Sequence, residues 1–98
     1  MSKTFDMELF LAGALTGSNA SRQRHLRQAR TIQAAIASRW NRDDPWTWRR
    51  KYLDWFLNQY LCRRAESTCY YYLLTIQLLT IRLGKSWRFE CKAETNPG

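Results

Sequence analysis

Residues 67–83 constrain the fold more than any other part of the chain. Tyr70, Leu73, Leu74, Ile76, Leu78, Leu79, Ile81 and Leu83 leave this segment apolar most of the way round. A helix of that composition sits either at the centre of a helical protein or in a membrane. A bilayer asks for about 20 apolar residues in succession. The apolar stretch here, residues 69–81, is shorter and is interrupted by Thr75, Gln77 and Thr80. The segment is therefore expected to be the central helix of a helical globule. Gly84 is placed to end it just past the last turn, with Arg82 and Lys85 near its negative end. Tyr70, Tyr71 and Tyr72 stand about 100° apart around such a helix, pointing in three different directions. All three cannot be buried, and Tyr71 is expected to offer its hydroxyl to solvent or to a phosphate.

Three further helices are read around it. Residues 5–15 carry Phe5, Leu9, Ala12 and Leu15 and end at Thr16-Gly17-Ser18-Asn19, a stop signal. So short a helix must dock to persist. A second helix starts at Asn19 or Ser21 and runs to about Trp40. Its apolar stripe is Leu26, Ala29, Ile32, Ile36 and Trp40, with Arg24, Gln28, Thr31 and Ala35 toward the other side. Asp44 followed by Pro45 marks the start of a third, from Trp46 to about Leu61. Leu53, Phe56, Leu57 and Tyr60 form its buried face, widened by Trp48, Tyr52 and Trp55. Residues 86–92 alternate Trp87, Phe89 and Cys91 with Ser86, Arg88 and Glu90, the period-2 signature of an extended segment laid on the helices. With 98 residues the chain is one domain. The expected fold class is all-α: a compact bundle of about four helices over residues 1–92, a short extended C-terminal segment, and a flexible tail at 93–98.

The charge is local. The net charge is +8, and residues 18–64 alone hold eleven basic residues against Asp43, Asp44 and Asp54. Ten of the eleven are arginines. Arginine presents a planar fork of donors that matches phosphate oxygens and stacks on aromatic rings, so a concentrated arginine surface points to a polyanion. Arg22, Arg24, Arg27 and Arg30 crowd the first turns of the second helix, where the macrodipole disfavours them; an anionic partner would compensate. Arg49 and Arg50 stand at the entry of the third helix, and Arg63 and Arg64 before the fourth. Trp46 and Trp48, beside Arg49 and Arg50, are read as packing residues that could also support arginines or stack on a base. Trp40 and Trp55 are read as core.

Catalytic chemistry has little to stand on. The single histidine, His25, lies among arginines that favour its neutral form, and is read as a surface polar group or phosphate contact. Asp43 and Asp44 are read as helix caps. Cys62, Cys69 and Cys91 have neither metal-site nor disulfide-framework spacing, and no Gly-rich phosphate loop occurs. No cofactor, metal or catalytic residue is expected.

One pattern carries a family likeness. Tyr52-Leu53-Asp54-Trp55-Phe56-Leu57 is followed by Arg63-Arg64-Ala65-Glu66-Ser67-Thr68-Cys69, then by the three tyrosines and Leu73-Leu74-Thr75-Ile76. The stretch 31–83 resembles the N-terminal core-binding domain of tyrosine recombinases and phage integrases, a SAM-like helical domain. The resemblance implies a module lying across a DNA groove, with Arg63, Arg64, Ser67, Thr68 and the following tyrosines toward the backbone. It departs at Ala65, where the family usually has serine, leaving Ser67 as the alternative cap. The family's catalytic domain has no room in this chain, so binding without strand cleavage is implied.

The expected function is a non-catalytic module of phage or mobile-element origin that contacts duplex DNA through Arg22, Arg24, Arg27, Arg30, Arg49, Arg50, Arg63, Arg64, Ser67, Thr68 and Tyr71. Two alternatives stand beside it: a small protein that binds and modulates another protein, and a homo-oligomer joined through its Trp-rich surface. No membrane span and no signal peptide are read, so the chain is expected in the bacterial or host cytosol, associated with the nucleoid.

Overall fold

The computed structural model describes residues 5–15, 17–61 and 64–89, the side chain of Glu66 excepted. Among these the chain is helical, in the order α1 (Met7–Leu11), α2 (Asn19–Trp40), a 3-10 turn (Pro45–Thr47), α3 (Arg50–Trp55) running into a π-helical turn (Phe56–Tyr60), and α4 (Glu66–Leu83). The all-α bundle of about four helices is what forms. Residues 93–98, Arg63 and the end of the extended segment lie outside the described residues.

Helix α4 is central, packing on α2, α1, the 3-10 turn and the π-helical turn. Its Thr75, Ile76, Leu79 and Thr80 are buried. Facing them, α2 buries Leu26, Ala29, Ile32 and Ile36, the stripe read from the sequence, and also Gln33 and Ala35. Ala35, expected on the outer side, is buried because α2 is covered over more of its circumference than one stripe. Ser18, ahead of the two expected candidates, is the N-cap: its side chain accepts from the Ser21 N–H.

α1 is a single docked turn rather than the full 5–15 stretch. Asp6 caps it through the Leu9 N–H, and Met7, Phe10 and Leu11 are buried. Arg82 reaches across from α4 and donates its Nε–H to the Phe10 carbonyl at 2.7 Å. That carbonyl stands at the end of a helix too short to satisfy it internally. The buried Gln33 amide donates to the carbonyls of Phe5 and Asp43, while Asp43 accepts from the Phe5 N–H. One side chain thus ties the chain's beginning to the loop after α2.

The continuous helix expected from Trp46 to Leu61 is broken. Asp44 does cap Trp46, but the turn it starts is 3-10 and stops at Trp48, whose backbone is extended. Trp48 is buried, and its indole N–H donates to the Arg42 carbonyl at 2.8 Å. Burying so large a ring and satisfying its donor outweighs one more helical turn. The helix resumes at Arg50 and widens into a π turn, so Tyr60, expected on the buried face, is exposed. Beyond α4, Gly84 takes the left-handed conformation (φ 73°). Residues 85–89 then run without helix or strand, Phe89 buried and Trp87 half-buried while Ser86 and Arg88 face solvent. Arg50 holds this segment, donating to the Arg88 carbonyl and covering the Phe89 ring.

Candidate nucleic-acid interface

The predicted arginines separate into those absorbed by the fold and those left outward. Arg50 is absorbed by the C-terminal segment and by Asp54, 3.8 Å away along its own helix. Arg30 lies 3.7 Å from Glu8 of α1, an exposed pair that screening leaves weak. Arg22 borders the groove between α1 and the start of α2. Arg27 and Arg49 are exposed and, among the described residues, make no side-chain hydrogen bond or ion pair. Arg24 is different: its guanidinium lies 4.8 Å above the Tyr71 ring of α4. This brings together two predicted groups, the arginines of α2 and the residues opening α4.

The start of α4 is open. Its N-cap is Ala65, and among the described residues no side chain accepts from the first-turn N–H groups. Ser67, the alternative cap, lies one residue inside the helix instead. Arg64 and Ser67 are exposed and Thr68 is half-buried. Tyr71 is exposed, as expected, and Tyr70 still more so, with ring centroids 5.9 Å apart. The Arg24 guanidinium and the rings of Tyr71 and Tyr70 thus form one exposed row at the start of α4, the end that also carries Ser67 and Thr68 and follows the exposed Arg64. Cationic donors, hydroxyls and free backbone N–H groups in such a row suit phosphate oxygens. Arg63, which the sequence places next to them, lies outside the described residues.

His25 is not turned outward. Its Nδ1 is 2.9 Å from Thr75 Oγ1, and the Thr75 hydroxyl donates to Gln28 Oε1 at 2.8 Å. A proton on Nδ1 satisfies the whole chain from His25 through Thr75 to Gln28. Burial first, and then the neighbouring Arg24 charge, lower the His25 pKa below its ordinary 6.5. The sequence identified the Arg24 effect and missed the larger burial. Thr75, a polar residue in the most apolar helix, was the available signal. Two other arginines were also missed as ring partners. Arg82 covers Phe10 and the exposed Trp46, and Arg39 covers Trp40 and Trp55. Trp46 is thus supported by an arginine, though one from α4 rather than Arg49 or Arg50.

Among the described residues no three His, Cys, Asp or Glu side chains gather as a metal site would require, and no helix is long and apolar enough to cross a membrane. No protein-family model, curated protein or solved structure matches the chain.

Proposed function

We propose that the chain is a non-catalytic module that binds duplex DNA through its backbone phosphates. Arg24, Arg64, Ser67, Thr68 and Tyr71 form the centre of the interface, with Arg22 and Arg27 extending it along α2. The observation that carries this reading is the approach of Arg24 to Tyr71. It joins the arginine-rich start of α2 to the uncapped start of α4 in one exposed row. The excess of eleven basic over three acidic residues in 18–64 supports it. So does the exposure of Arg27 and Arg49, which among the described residues form no ion pair. Arg50 and Arg30 are secondary in this reading because internal contacts already engage them. A setting in a phage or mobile element, and kinship with recombinase core-binding domains, rest on the likeness in residues 31–83.

Titration of a labelled duplex with the full chain at two salt concentrations tests it. Each phosphate neutralised adds about 0.9 to the slope of log K against log salt. A slope corresponding to several phosphates is expected. Absence of binding at about 50 mM salt overturns the proposal, since electrostatic attraction is strong there.

A further inference from the structure

Helix α2 and the segment opening α1 enclose a groove of about 510 Å³, within the size range of small-molecule clefts. On α2 it is bounded by Arg30, Gln33, Ala34 and Ala37, which the helical repeat brings to one side. The two alanines leave the space unfilled, and Phe5 and Met7 wall it from the other side. Gln33 reaches the groove from the interior, being only 6 % exposed. Its Nε2 donates to the Phe5 carbonyl at 3.1 Å and to the Asp43 carbonyl at 2.9 Å. Both amide hydrogens are thereby engaged, and the position of the nitrogen is fixed, because carbonyls only accept. Oε1 is the end left for the groove, and among the described residues nothing donates to it.

Two carboxylates add to this acceptor. Asp6 and Asp43 both line the groove. Each uses one oxygen on a backbone N–H, that of Leu9 at 3.1 Å and that of Phe5 at 3.2 Å. Among the described residues neither forms an ion pair. Arg30, the cation among the described lining residues, lies 3.7 Å from Glu8. The groove therefore offers acceptors, two of them charged, beside apolar walls. An ammonium group carries three donors and no acceptor, whereas an anion would meet two like charges. An alkyl chain gains from the walls what a bare inorganic cation cannot. We infer that this groove binds a small primary alkylammonium compound. Its head lies toward Gln33 Oε1, Asp6 and Asp43, and its chain lies between Phe5 and the alanines of α2. The site shares no residue with the row proposed for phosphate and does not depend on that reading.

Titration of the full chain with n-butylammonium chloride at constant ionic strength, followed by two-dimensional NMR, tests the inference. The Gln33 side-chain amide is the diagnostic signal, because both of its hydrogens are held inside the fold. Saturating shifts are expected there and at the backbone amides of Phe5, Ala34 and Ala37. Ammonium chloride supplies the charge without the chain, and 1-butanol the chain without the charge. Both are expected to bind at least about tenfold more weakly. Asp6→Asn combined with Asp43→Asn keeps an oxygen for each backbone N–H and removes both charges. This variant is expected to bind n-butylammonium at least about tenfold more weakly with its thermal melt nearly unchanged. Should it fail to fold, Ala34→Leu, at an exposed helical position, fills the groove without altering charge and is expected to weaken binding as much. Equal shifts with ammonium chloride or 1-butanol, shifts as large around Asp54 as around Gln33, or wild-type affinity in the folded variants overturns the inference.

Discussion

Thr75 has no exposed surface, and its hydroxyl stands between His25 and Gln28. The interior of the α2–α4 contact is therefore polar at one point, and its stability depends on a titrating ring. His25 has its pKa lowered in the fold, chiefly by burial, so the folded state favours the neutral imidazole. The stability this contributes is complete above the ordinary value of 6.5 and is lost as pH falls through it, because the unfolded chain takes up the proton first. His25→Gln keeps a donor for Thr75 without the titration. In urea unfolding between about pH 7.5 and about pH 5, the wild-type chain is expected to lose more stability than this variant. Equal losses would show that His25 protonates as freely in the fold as outside it.

Helix starts show why elements respond differently to the same residue. Ser18 caps α2 and accepts from the Ser21 N–H at 3.2 Å. Ser18→Ala is expected to lower stability by about 1 kcal/mol, measured by denaturant unfolding. Ser67 lies inside α4, past an Ala65 that caps nothing. Ser67→Ala is expected to leave stability within about 0.5 kcal/mol of wild type, and to weaken duplex binding if its hydroxyl meets a phosphate. Installing a side-chain cap, Ala65→Ser, is expected to raise the melting temperature, since Ala65 itself offers the first-turn N–H groups no side-chain acceptor. The same substitution would compete with a phosphate for those groups, so stability and duplex affinity are expected to move in opposite directions.

For the whole molecule, the sixteen Lys and Arg residues do not form one reservoir of charge. Arg50 and Arg82 pin terminal segments to the bundle, and Arg39 lies over Trp40 and Trp55. Arg24 lies over Tyr71 and Arg64 is exposed just before α4. Arg24→Gln with Arg64→Gln is expected to lower the salt slope of duplex binding by about 2, with the melting temperature nearly unchanged. Arg82→Gln is expected to do the reverse, lowering the melting temperature through loss of the Phe10 carbonyl contact and leaving the slope in place. Equal effects of the two sets on the slope would mean that the charge acts diffusely rather than through the row at α4.

The sequence by itself determined the bundle. The stripe Leu26, Ala29, Ile32 and Ile36, the cap at Asp44 and the stop at Gly84 are local patterns, and each acts within a turn or two of the backbone. The alternation of Trp87 and Phe89 with Ser86 and Arg88 was legible for the same reason. Tertiary structure decided the rest. Trp48 interrupts the third helix because its ring finds the core and its N–H finds the Arg42 carbonyl. Tyr70 and Ile81 stay exposed because α4 is apolar most of the way round, and only packing decides which side of such a helix is covered. The candidate site divides in the same way. Sequence showed where arginine accumulates, but which guanidinium faces outward depends on carbonyls and rings contributed by residues distant in the chain.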